Sequence, residues 1–109
     1  MALRQYSLTL NGSAQRLSTV LTDTTVGGSE DVAYRQIILQ ADPANGAVVY
    51  IGANSNVSST NHGCSLDPTQ ATAQDRVSIG PFEAGPVKLS DIWVIGTNAQ
   101  RLMVLGVPY

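Results

Sequence analysis

The 109-residue sequence is short of almost everything that active-site chemistry draws on. It holds one cysteine, Cys64, and one histidine, His62. A single thiol excludes an internal disulfide and fits synthesis in a reducing compartment. A metal centre needs three or four ligands, and a Cys nucleophile needs a base within reach. His62-Gly63-Cys64 supplies two such groups, and the nearest acids in sequence are Asp67 and Asp75. No Gly-x-Ser-x-Gly elbow is present. None of the eight acidic residues is marked out as half of a facing pair for glycoside hydrolysis. The stretch GANSN (52–56) lacks the Lys and the following helix of a phosphate loop. The expectation is a protein that is not an enzyme and carries no cofactor or metal. His62-Gly63-Cys64 then reads as a loop, with Gly63 at positive φ and Cys64 a small buried apolar residue.

Charge is scarce as well. Charged residues make up 13% of the chain, about half the share in an ordinary soluble domain. Ser, Thr, Asn and Gln take their place, and such a neutral surface suits faces that end against other protein. The net charge is −2, with Lys88 the single lysine. Arg4, Arg16, Arg35, Arg76 and Arg101 are spread along the chain, so there is no basic cluster for nucleic acid. No apolar run reaches the length of a membrane span. The alternating start MALRQYSLTLNG does not read as a secretory signal. The sequons at Asn11 and Asn56 are then accidents of composition.

What is present is strand code. At 43% hydrophobic residues the chain can build one core, hence one domain over 1–109. Residues 4–10 put Tyr6, Leu8 and Leu10 on one face, which is half-buried strand periodicity. Asn11-Gly12 predicts a hairpin to a partner strand over 14–21. Residues 32–41 and 47–52 predict a second hairpin around Asp42–Gly46, with Pro43 opening the turn and Gly46 in the left-handed region. Residues 53–74 read as mostly loop, with a short strand near Val57. Strands follow at 76–82, 86–89, 91–97 and 101–109, the last two joined as a hairpin by Asn98-Ala99-Gln100. IWVI and LMVL are apolar on both faces, so both faces of those strands are expected to be covered. About eight short strands without a helix predict an all-β, antiparallel β-sandwich of jelly-roll type.

The order RQIILQADPANGAVVYIG, a polar loop, GCSLDP, VSIGPF and VKLSDIWVIGTNAQRLMVLGV resembles small virion proteins of tailed bacteriophages. The resemblance is to head decoration (cement) proteins and related head-fibre bases, and it covers residues 33 to 107. It implies a jelly-roll-like sandwich made in the cytoplasm of the bacterial host. It also implies many copies bound to the outside of the capsid, with the major capsid protein as partner and no chemistry performed.

An interface is expected at the two ends, residues 1–10 and 105–109, through Leu3, Tyr6, Val107 and Tyr109. Apolar area left in water there costs about 25 cal/mol per Å². Asn54, Asn56 and Asn61 in the long loop are expected to add hydrogen bonds to a partner backbone. A homo-oligomer, dimer or trimer, is the expected unit. The alternative is a carbohydrate- or receptor-binding module of a tail or head fibre, with Tyr34, Tyr50 or Trp93 stacking on a sugar. The apolar runs around Tyr50 and Trp93 favour core packing for both.

Overall fold

The computed structural model describes residues 3–17, 33–44, 46–70, 74–80 and 87–108. Among them lie nine strands: β1 (Arg4–Thr9), β2 (Gln15–Arg16), β3 (Ala33–Ala41), β4 (Val49–Gly52), β5 (Cys64–Leu66), β6 (Arg76–Ile79), β7 (Val87–Lys88), β8 (Trp93–Ile95) and β9 (Arg101–Pro108). A short 3-10 turn spans Leu89–Asp91. The chain is all-β and forms two antiparallel sheets. The first has the order β1-β9-β3-β6, with β7 on the same edge of β3 as β6; the second has the order β2-β8-β4-β5.

None of the three expected hairpins forms. β1 pairs with β9 and β2 with β8, so Asn11-Gly12 carries the chain from one sheet to the other. β3 and β4 lie in different sheets, as do β8 and β9, so residues 42–48 and Asn98-Ala99-Gln100 are also arches. Gly46 is not at positive φ; among the described residues that region is occupied by Gly12, Gly80, Gln70 and Ala99. The turn residues bend the chain as their chemistry requires, but a bend does not choose the ladder that follows. Two arches pack side by side, fixed by Leu10 N to Gln100 O and Ala99 N to Leu10 O, both 2.8 Å. Among the described strands, the pair joined by a local connection is β4–β5. Cys64–Leu66 is therefore a strand inside the segment expected to be loop. Near Val57 there is only an isolated bridge, Ser58 to Asn61. Residues 18–21, 32, 81–82, 86 and 109 of the expected strands lie outside the described residues.

Alternation along each strand supplies one core. Tyr6, Leu8, Tyr34, Ile37, Leu39, Leu102 and Val104 from the first sheet join Val49, Ile51, Leu66 and Val94 from the second in a single buried cluster. Tyr34 and Ile37 would face opposite ways in an unbroken strand. A register shift between Tyr34 and Gln36 turns both inward. The Tyr34 ring then lies across Gly106 of β9, and its hydroxyl meets that of Tyr6 at 2.8 Å. A Cβ at Gly106 would stand 2.3 Å from Tyr34 Cε1, so only glycine fits beneath the ring.

β9 sits between β1 and β3, and Val107 and Pro108 are ladder partners of Gln36 and Tyr34. The carboxyl end expected to be a docking tail is thus part of a central strand. Removing residues 107–109 would unpair the start of β3, so their contribution to binding cannot be separated from folding. Tyr6, expected at an interface, is 2% exposed and belongs to the core.

Candidate functional site

Each sheet has an outer face, and the ladders fix what each one carries. On the first sheet the outward residues are Gln5 and Ser7 of β1, Arg101, Met103, Leu105 and Val107 of β9, Ile38 and Gln40 of β3, and Arg76 and Ser78 of β6. Ile38, Met103, Leu105 and Val107 are half-buried and run as an apolar stripe. The face opens as a groove of about 540 Å³. Its polar rim is bonded in place. Arg101 donates to Ser7 Oγ, Gln36 Nε2 to Ser78 Oγ at 2.6 Å, and Gln40 Nε2 to Asp75 Oδ2 at 3.2 Å.

Arg76 Nε also reaches Asp75 Oδ1, at 3.4 Å. Burial raises the pKa of this carboxyl. The hydrogen bonds from Gln40 and Arg76, with the Arg76 charge, outweigh that and hold it below its ordinary value. A carboxyl whose pKa is lowered by folding stabilises the fold above its unfolded pKa. That contribution is lost as the pH falls through the lower folded value. The acid limb of the melting curve, at about pH 4 and below, should therefore flatten in Asp75→Asn, and thermal melts across that range check it.

On the second sheet the outward residues are Arg16, Trp93, Ile95, Tyr50 and Ser65. Core packing was expected for Tyr50 and Trp93, and the register overturns it. Val94 is the inward residue of β8, and Trp93 and Ile95 point away from the core, half-buried. Arg16 lies over the Trp93 ring at 5.0 Å. His62 packs on Tyr50 with ring centroids 4.7 Å apart, and its Nδ1 is 3.0 Å from Ser58 O. Tyr34, the third expected sugar platform, is fully buried.

His62 and Cys64 are turned to opposite sides of this sheet. Cys64 pairs with the core residue Ile51 and packs on the core, where burial pushes its thiol up. A raised thiol pKa lowers the thiolate share and with it the reactivity. Gly63 is not at positive φ; its amide donates to Ile51 O at 2.8 Å. Among the described residues no group of three or more His, Cys, Asp or Glu could hold a metal ion.

Of the other expected interface residues, Leu3 is 51% exposed, the one large hydrophobic so exposed among the described residues. Val107 is half-buried on the groove face, and Tyr109 lies outside the described residues. Asn54, Asn56 and Asn61 are exposed, but they bond to their own loop: Asn56 N to Asn54 Oδ1 at 2.9 Å and Asn61 Nδ2 to Asn56 O at 3.1 Å. The groove itself escaped sequence reading, although the two-faced apolar run of β9 was its signal. Comparison of the chain with family models, curated proteins and solved structures finds no match.

Proposed function

We propose that the chain is a non-enzymatic virion structural protein, a decoration (cement) protein that binds the outer surface of a phage capsid. The observation that carries this reading is the outer face of the first sheet. Its half-buried stripe of Ile38, Met103, Leu105 and Val107 is edged by Gln5, Gln40, Arg76 and Arg101. An apolar centre with Met, a rim of Arg and Gln, and no Lys or Glu is the composition of a protein–protein interface. The partner in this reading is the major capsid protein.

The ladders support a jelly-roll sandwich. With β6 and β7 counted as one strand, the pairs β1–β9, β2–β8, β3–β6/β7 and β4–β5 are those of one long hairpin closed at β4–β5. Rolling that hairpin brings β9 beside β3 and β8 beside β4, and the eight strands divide into two sheets of four. Such a fold leaves one face of each sheet for contacts. Several weak contacts per homo-oligomer, repeated over the shell, would sum to firm attachment through effective concentration.

Electron cryomicroscopy of purified virions is the test. The expected result is density for this chain on the exterior of the head, at a fixed ratio to the capsid subunit, with the groove face against the shell. Density confined to the tail would overturn the reading.

A further inference from the structure

We propose that the outer face of the second sheet carries a binding site for a neutral saccharide, centred on Tyr50. This inference does not rest on a virion role and concerns the opposite face of the molecule. A hollow of about 370 Å³ lies there, floored by Tyr50, Ile95 and Val48 and edged by Ser58, Ser59 and Thr97. That volume is within the usual range for small-ligand sites. A second hollow of about 250 Å³, with Asn54, Asn61 and His62 in its lining, adjoins it across the Tyr50–His62 contact.

The chemistry of the lining selects the ligand. Among the described residues, no Asp, Glu, Lys or Arg lines either hollow. A charged ligand would find no counter-charge, and a purely apolar one would strand the hydroxyls and amides around the rim. A pyranose ring matches both halves. Its C–H face packs on an aromatic and aliphatic floor, and its hydroxyls exchange hydrogen bonds with Ser, Thr and Asn side chains. The walls are already set: His62 is held to Ser58 O, and Ser58 and Asn61 form a bridge, Ser58 N to Asn61 O 2.8 Å. A site whose walls are ordered before the ligand arrives loses less entropy on binding. Trp93 lines neither hollow and is covered by Arg16, so it is outside the site.

The experiment uses the full chain as an isolated protein, with an array of neutral and acidic oligosaccharides as probes. Calorimetry and amide shift mapping then follow with the strongest neutral hit. Binding of a neutral glycan is expected, with shifts concentrated at Tyr50, Ser59, Ile95 and Thr97. Tyr50→Ala should weaken binding by at least about tenfold, the loss of one stacking contact, whereas Tyr50→Phe should stay within about threefold. If Tyr50→Ala does not fold, Thr97→Val and the wild-type shift map decide. Binding of acidic glycans alone, no neutral binding at millimolar ligand, or shifts elsewhere would overturn the proposal. None of these outcomes bears on attachment to virions.

Discussion

Gly106→Ala is expected to destabilise the protein more than Gly96→Ala or Gly52→Ala, the next most crowded glycines. Its Cβ would meet three atoms of the Tyr34 ring at 2.3, 2.7 and 3.0 Å. The ring has nowhere to retreat, because Tyr34 is fully buried and its hydroxyl is bonded to Tyr6 across the central strand. Either β9 shifts and strains the ladders on both its edges, or the ring leaves and a buried hydroxyl pair is broken. Overpacking of this kind costs about 1–3 kcal/mol, and a buried hydroxyl left without a partner adds about 1–3 kcal/mol. A loss near 3 kcal/mol should lower the melting temperature by on the order of 15 °C. Thermal denaturation of Gly106→Ala, Tyr34→Ala and the double variant separates this from a general glycine effect. With the ring gone the added methyl has room, so the double variant should be less destabilised than the sum of the two singles. Simple additivity would mean the ring does not rest on Gly106.

Leu105→Glu is expected to abolish particle binding while leaving the isolated fold nearly intact. Leu105 lies mid-stripe, between Gln5 of β1 and Ile38 of β3. It is half-buried on the outward face, so in the free protein a carboxylate there stays within reach of water. Docked against a capsid the same carboxylate would be dehydrated without a partner, at about 3–5 kcal/mol or a few hundred-fold or more in affinity. Co-sedimentation with particles lacking the protein, alongside a thermal melt, measures both quantities. Arg101→Ala at the groove rim should act more mildly, chiefly on the association rate and its salt dependence. Wild-type particle binding by Leu105→Glu would move the contact to another face.

The strands were legible in the sequence and their partners were not. Alternation in RQYSLTL and the β-branched runs of residues 32–41 and 47–52 report a pleated, half-buried chain, which is a local property. Pairing is not local here. Asn11-Gly12, Pro43 and Asn98-Ala99 are bend signals, and a bend serves a hairpin or an arch between sheets equally well. Ala99 at φ 71 shows the limit from the other side, since nothing about an alanine announces the left-handed region. The same gap hid the sites. An apolar run such as IWVI says that both faces of a strand are covered, but its register against Arg16 and Tyr50 makes Val94 the core residue and turns Trp93 outward. The exposed Asn residues of the long loop were foreseen, and their use in shaping the loop itself was not.

The place of β9 between β1 and β3 has a consequence for synthesis. A growing chain holds β1 and β3 long before residues 101–108 leave the ribosome, yet those two strands do not touch each other in the sheet. Neither can form its ladder to β9 until that strand emerges. Closure of the first sheet therefore follows the synthesis of everything before residue 101. The contacts it makes span nearly the whole chain, and high contact order slows folding. During that interval the unpaired edges of β1 and β3 are templates for a neighbouring nascent chain. Slower growth between the emergence of β3 and that of β9 would lengthen the exposure, and soluble yield should fall as translation across residues 42–100 is slowed.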